Sequence, residues 1–256
     1  MGLMRELLCG RGWRYRGCHG GAPCRYGYPA FGAAEPNVVA QFLFEEAGSV
    51  GHTSLVDEVS SITVPAVGSP VYGMGASGRH KQLAPGIQSG EFDGFLLTTP
   101  VPSMAPGTGA FTREFWVAGF PTILFSSTDV DDPDSKGEFY LFFMYAGTPT
   151  LIVQTVSDDG LGIFSQFFTI PDIIDNGLHK IRVSATRTGG AGSLMTVEVD
   201  TIQQGPAVDF SAMDGKTIAT SLVRFGSCGI AGSASVSRFY EARFSNNATN
   251  NSTPVV

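Results

Sequence analysis

This sequence predicts an all-β fold of two packed antiparallel sheets, on three observations. The first is a period of two. Ile181, Val183 and Ala185 alternate with Lys180, Arg182, Ser184 and Thr186; beyond Gly189–Gly192, Met195, Val197 and Val199 alternate with Thr196, Glu198 and Asp200. Such a hairpin turns one face to a dry interior and the other to water. The second is composition: 33 glycines and 19 phenylalanines beside only 15% charged residues suit many short strands joined by tight turns over an aromatic core. The third is that no stretch holds a 3.6-residue apolar period over three turns, so no amphipathic helix is predicted. At 256 residues the chain is long enough for one large sandwich with a sizeable core.

The elements follow in order. Residues 1–36 form an arm of Gly, Arg, Cys and aromatics (Trp13, Tyr15, Tyr26, Tyr28, Phe31) with neither strand nor helix period. Two readings stand side by side: a poorly ordered terminus, or a segment that orders on a partner. Within residues 1–28 of it, Arg5, Arg11, Arg14, Arg16 and Arg25 outweigh Glu6, giving +4 and leaving −11 to the rest of a chain whose net charge is −7.

Residues 37–246 are the predicted sandwich. In VVAQFLFEEAG, Val38, Ala40, Phe42 and Phe44 share one strand face. A Gly/Ser-rich region to Glu91 carries only short apolar patches, Ile62–Val64 and Pro70–Tyr72. GEFDGFLLTTP and GAFTREFWVAGF are strand-like. EFYLFFMYAG is apolar on both faces, with Phe139, Leu141, Phe143 and Tyr145 on one and Tyr140, Phe142, Met144 and Ala146 on the other. A strand of that kind is expected to be covered on both sides. TLIVQTVS follows the turn Gly147–Pro149, and SLVRFG and SVSRFYEARFS complete the series. Residues 247–256 are a polar tail, expected to fray.

The acidic balance argues against nucleic acid as a partner. No apolar run approaches the roughly 18–20 residues of a membrane span, so no membrane insertion is expected. The start, MGLMRELLCGRGW, lacks the apolar core of a signal peptide.

The order of these strands resembles the concanavalin A-like, laminin G-like jelly roll. VVAQFLFEEAG is similar to that family's first strand, SGEFDGFLLTTP to its "FDG" turn, and Phe111–Val117 to its "FTISFWVK" strand. Asp175–Ser184 resembles "DGQWHHVAVT", Met195–Asp200 resembles "LYVDG", and Ala234–Phe244 resembles "GSIDEVRIYN". The likeness spans roughly residues 38–246, with Leu178, Lys180 and Thr201 departing from the family's Trp, second His and Gly. It implies a jelly-roll sandwich and, often, binding of glycans or proteins. Single domains of this kind also resemble accessory proteins of tailed-bacteriophage virions, in fibres, tail tips and head decorations, where the basic arm would dock onto other virion proteins.

Several residues are candidates for chemistry. Asp129, Asp131, Asp132 and Asp134 cluster as hard oxygen ligands would for Ca²⁺, although they miss the EF-hand register. The alternative is a solvated acidic turn. Glu91 and Asp93 have the spacing of paired glycosidase carboxylates, but the apolar continuation Gly94–Leu97 favours a structural turn. Cys9, Cys18, His19 and Cys24 permit a zinc set, a disulfide or free thiols, and Cys228 reads as a small core residue. His52, His80 and His179 are scattered, and no serine stands in a matched triad. Tyr72 and Phe95, close to loops, are the aromatics expected to be exposed for ligand stacking, whereas Trp116 and Tyr140 are expected in the core.

The sequence reading is a non-enzymatic structural or adhesion protein of a phage virion, assembled in the host cytoplasm. Its jelly roll faces outward, and Arg5, Arg11, Arg14, Arg16 and Arg25 with Trp13 and Tyr15 anchor it. The alternative is a stand-alone, lectin-like carbohydrate-binding module outside the cell, with or without Ca²⁺; a glycoside hydrolase is a third reading. A host-surface glycan and a second copy of the chain are the further partners considered.

Overall fold

The computed structural model describes residues 37–44, 54–68, 71–75, 78–83, 94–119, 123–128, 136–171, 173, 177–226 and 237–246. The fold is an all-β, two-sheet antiparallel jelly-roll sandwich. Helical turns among the described residues are short 3-10 segments such as Pro102–Met104 and Ser211–Met213.

The early strands are β1 (Val38–Leu43), β2 (Ser54–Val56), β3 (Thr63–Val67), β4 (Val71–Gly75), β5 (Gly78–Leu83) and β6 (Gly94–Leu97). The middle strands are β7 (Phe111–Ala118), β8 (Ile123–Ser126), β9 (Gly137–Tyr145), β10 (Thr148–Val156) and β11 (Ile163–Thr169). The last are β12 (Leu178–Ala185), β13 (Leu194–Val199), β14 (Ile202–Gln203), β15 (Val208–Asp209), β16 (Val223–Gly226) and β17 (Ser237–Asn246). The first sheet runs β14-β13-β12-β7-β17-β5-β4, with β1 also on β17 and β15 also on β13. The second runs β11-β10-β9-β8-β16-β6-β3-β2.

Local sequence explains the pairings. Ile181, Val183 and Ala185 lie opposite Val199, Val197 and Met195, so the alternation predicted for this hairpin places all six side chains in the core. β9 and β10 join through Ala146 and Gly147, both with positive φ (49° and 80°). That is the two-residue hairpin geometry whose twist matches the flanking strands. Gly137 sits at φ 136°, and a Cβ there would lie 2.5 Å from Ser127 Oγ and 2.8 Å from the Ser127 carbonyl, so only glycine fits.

Phenylalanines from facing sheets fill the space between them. Phe42 on β1 meets Phe225 on β16 edge-to-face at 5.1 Å, and Phe125 on β8 meets Phe244 on β17 at 4.6 Å. Phe95, expected exposed, is fully buried and packs edge-on at 6.0 Å against Phe44. Its place on β6 turns it inward: it pairs with Phe225, another core ring. The loop proximity that suggested exposure is outweighed by strand alternation.

One ion pair bridges the sheets inside this core. Arg113 on β7 grips Glu138 on β9, with Nη2 2.8 Å from Oε2 and Nε 3.1 Å from each carboxylate oxygen. Nη2 also donates to the Met104 carbonyl at 3.0 Å, and Tyr140 donates its hydroxyl to Glu138. Burial, reinforced by the Glu138 charge, pushes the Tyr140 hydroxyl well above its ordinary pKa. The guanidinium lies between the rings of Phe111 and Phe244, 5.1 and 4.9 Å from their centroids.

Candidate functional site

A sandwich has two outer faces, and here they differ. On the first sheet, cross-strand register sets charges in rows. Arg243 pairs with Glu114, Glu114 with Arg182, and Arg182 with Glu198, across β17, β7, β12 and β13. Glu114 lies 2.6 Å from Lys180, 3.8 Å from Arg182 and 4.0 Å from Arg243, while Arg243 reaches Glu241 at 3.1 Å. The indole of Trp116 is buried, as expected, but on this outer side of the sheet, between two cations, with Lys180 at 5.0 Å and Arg243 at 5.4 Å. It packs with Ala118, Tyr240 and Leu178 in a small cluster separate from the main core. Glu241 accepts from Gln41 at 2.8 Å, and burial pushes its carboxyl up to about 7, with Arg243 and Gln41 pulling the other way. Two neighbouring carboxylates, one with a raised pKa, are the ingredients of acid–base chemistry. Here both are only 3% exposed and held by cations, which leaves no room for a substrate.

On the second sheet the outer face is buried at β8 and β16 and opens towards β9, β10 and β11. It carries Phe139, Leu141, Phe143 and Tyr145 on β9, Thr150, Ile152 and Gln154 on β10, and Ile163, Ser165, Phe167 and Thr169 on β11. Register builds the rows Leu141–Ile152–Phe167 and Phe143–Thr150–Thr169. Three aromatic rings gather there: Phe143 lies 6.0 Å from Tyr145 and 5.9 Å from Phe167, and Tyr145 stacks on Phe167 at 6.3 Å. Tyr145 is 66% exposed and Phe167 56%. None of these outward-facing residues is charged. The expectation that β9 is covered on both faces is therefore corrected. Tyr140 and Phe142 face the core, whereas the opposite face, ending in Tyr145, stays open. The strand is apolar twice over because one face serves the core and the other presents rings to solvent.

The remaining sequence candidates are distributed as follows. Asp129, Asp131, Asp132 and Asp134 lie outside the described residues, as do Glu91, Asp93, Cys228, His52 and the arm with Arg5, Arg11, Arg14, Arg16, Arg25, Trp13 and Tyr15. So do Cys9, Cys18, His19 and Cys24. Tyr72 falls in β4 and His80 in β5, with their side chains outside the description. His179, at the start of β12, has Nδ1 2.6 Å from Asp200, which also accepts from the Lys180 backbone amide at 2.8 Å and so ties the turn after β13 to β12. Among the described residues no group of His, Cys, Asp or Glu forms a metal-binding set, and no helix is long and apolar enough to cross a membrane.

No protein-family model matches the chain, and no curated protein sequence matches it. Solved structures do resemble it. The binding domain of paraclostridial mosquitocidal protein 1 superposes with a TM-score of 0.61 at 13% identity, over 84% of this chain and 50% of that one. The receptor-binding domain of botulinum neurotoxin type G gives 0.55 at 13% identity, over 84% and 49%. A structure of botulinum neurotoxin type C, whose uptake into cells depends upon interaction with two ganglioside molecules, gives 0.56 at 10% identity, over 82% and 47%. The chain thus spans about half the length of these neighbours. At such identities the likeness is one of fold: the same two-sheet antiparallel sandwich, carried here by a different sequence.

Proposed function

We propose that this chain is a non-enzymatic recognition module that binds carbohydrate on a cell surface through the open face of its second sheet. The observation that carries this reading is the exposed, uncharged ring cluster Phe143–Tyr145–Phe167 on an ordered sheet. Aromatic faces stack on the apolar face of a sugar ring, and the exposed hydroxyl of Thr169, in the same cross-strand row as Phe143, offers a hydrogen bond to its edge. The absence of charge on this surface suits a neutral sugar better than a phosphate. The neighbours support the reading in kind, as receptor-binding domains of toxins, one of them described through gangliosides.

This favours the lectin-like alternative over the virion protein. Placement on a phage particle, with the arm as anchor, is a more specific form of adhesion that draws no support from these neighbours. A Ca²⁺ site at Asp129–Asp134 is not needed by the open face. The test is a glycan array probed with the full chain, with and without chelator. The expected result is binding to a restricted set of glycans that survives the chelator. Binding to none, or loss of binding on chelation, would contradict the proposal, the latter by moving recognition to the acidic loop.

A further inference from the structure

The four sheet edges are not alike. Among the described residues, three end in weak strands: β2 has three residues, β14 two, and β4 five, two of them glycine. Short edges of this kind resist pairing with another chain. The fourth edge, β11, is different. It runs seven residues, Ile163–Thr169, with no charge, no proline and no bulge against β10.

Its backbone is poised for a further strand. The Ser157 amide donates to the Gly162 carbonyl at 2.9 Å and the Ile170 amide to the Pro149 carbonyl at 2.9 Å. With the register Thr150↔Thr169 to Val156↔Ile163, this assigns the even-numbered residues of β11 to the ladder with β10. The amides and carbonyls of Ile163, Ser165, Phe167 and Thr169 therefore point away from the sheet. Among the described residues the Phe167 carbonyl accepts from the side-chain amide of the neighbouring Gln166, at 3.2 Å.

We propose that β11 is a homodimer interface, pairing antiparallel with β11 of a second copy about a two-fold axis at Gln166. The strand is self-complementary in that register. Phe164 and Phe168, both core-facing, fall opposite each other, so the two interiors run on from one protomer to the next. On the outer face Phe167 meets the small Ser165 of the partner, and the two Phe167 rings become diagonal neighbours about 7–8 Å apart, within reach of aromatic contact. All seven residues overlap, giving about eight new backbone hydrogen bonds. The isologous pairing closes on itself and leaves no open edge at this position, which an unrelated strand added to β11 would not do. This inference goes beyond the glycan reading and stands without it.

The test is sedimentation velocity on the full chain over a dilution series, for the native sequence, Ser165→Pro and Ser165→Lys. Ser165 turns its amide outward, so proline there removes a donor to the partner while leaving the β10 ladder intact. Lysine sets a charge beside the partner's Phe167. The native chain is expected to dimerise reversibly, and each variant to weaken dimerisation about tenfold or more. The far-UV circular dichroism should not change. A native chain that stays monomeric at every accessible concentration would overturn the proposal. So would either folded variant that dimerises as tightly as the native chain, since association would then run through another surface.

Discussion

At the scale of single residues, two buried charges carry the sharpest expectations. Arg113 and Glu138 are fully buried and bidentate across the two sheets. Glu138→Gln leaves the guanidinium without its counter-charge, and should destabilise the fold by about 3–5 kcal/mol. Arg113→Met with Glu138→Leu removes both charges together, and should fall much closer to the native value in urea unfolding. Glu241 gives a pH signature. Its folded carboxyl titrates at about 7 against an ordinary 4.5, because burial outweighs Arg243. The folded state thus holds a proton that the unfolded state has released. This contribution to stability is full below pH 4.5 and is lost as pH rises through 7, amounting to about 3 kcal/mol over the window. Glu241→Gln should therefore gain on the native protein by roughly that amount between pH 4 and pH 8. Neither site was legible in the sequence. Arg113, Glu114, Glu138 and Glu241 occur in strands that read simply as apolar or mixed; the facing sheet or a neighbouring strand supplies the partners of the first three, and Glu241 takes Gln41 from β1 beside Arg243 of its own strand. Phe95 failed for the opposite reason, since proximity to a loop says nothing about which way a strand residue turns.

At the scale of elements, legibility followed alternation. The β12–β13 hairpin was readable to its inward set, because its polar face meets water or other polar side chains. The hairpin of β9 and β10 was readable, but its turn is Ala146–Gly147 and not Gly147–Pro149, since Thr148 and Pro149 already pair in β10; it yields a further prediction. Ala146 holds φ 49°, a conformation a Cβ disfavours and Asn tolerates. Ala146→Asn creates the preferred Asn-Gly turn and should raise stability by about 1 kcal/mol, seen as a higher thermal midpoint. Ala146→Val should lower it. The Gly/Ser-rich region was not readable in the same way: β2 to β5 are three to six residues long, with glycines at Gly73, Gly75 and Gly78. Their place is set by pairing with β17 and β6, contacts distant in sequence. The double apolarity of β9 was visible, but its meaning was not, since a sequence cannot tell a face covered by another layer from one left open for a partner.

At the scale of the whole molecule, the two sheets divide the work. The first closes its outer face with a lattice of paired charges around Trp116; the second leaves rings in solvent. Folding has already set the order of the rings on that second face, which is the preorganisation that the proposed sugar recognition requires. About half of each of the toxin binding domains shares this sandwich fold, with other side chains. The most direct measurement is isothermal titration of the strongest glycan from the array into the native chain and into Tyr145→Ala. Tyr145 is well exposed and supports no core contact, so its removal leaves the fold in place. The account predicts that affinity falls about tenfold with an unchanged thermal midpoint. Undiminished affinity in Tyr145→Ala would place the ligand elsewhere and contradict the account.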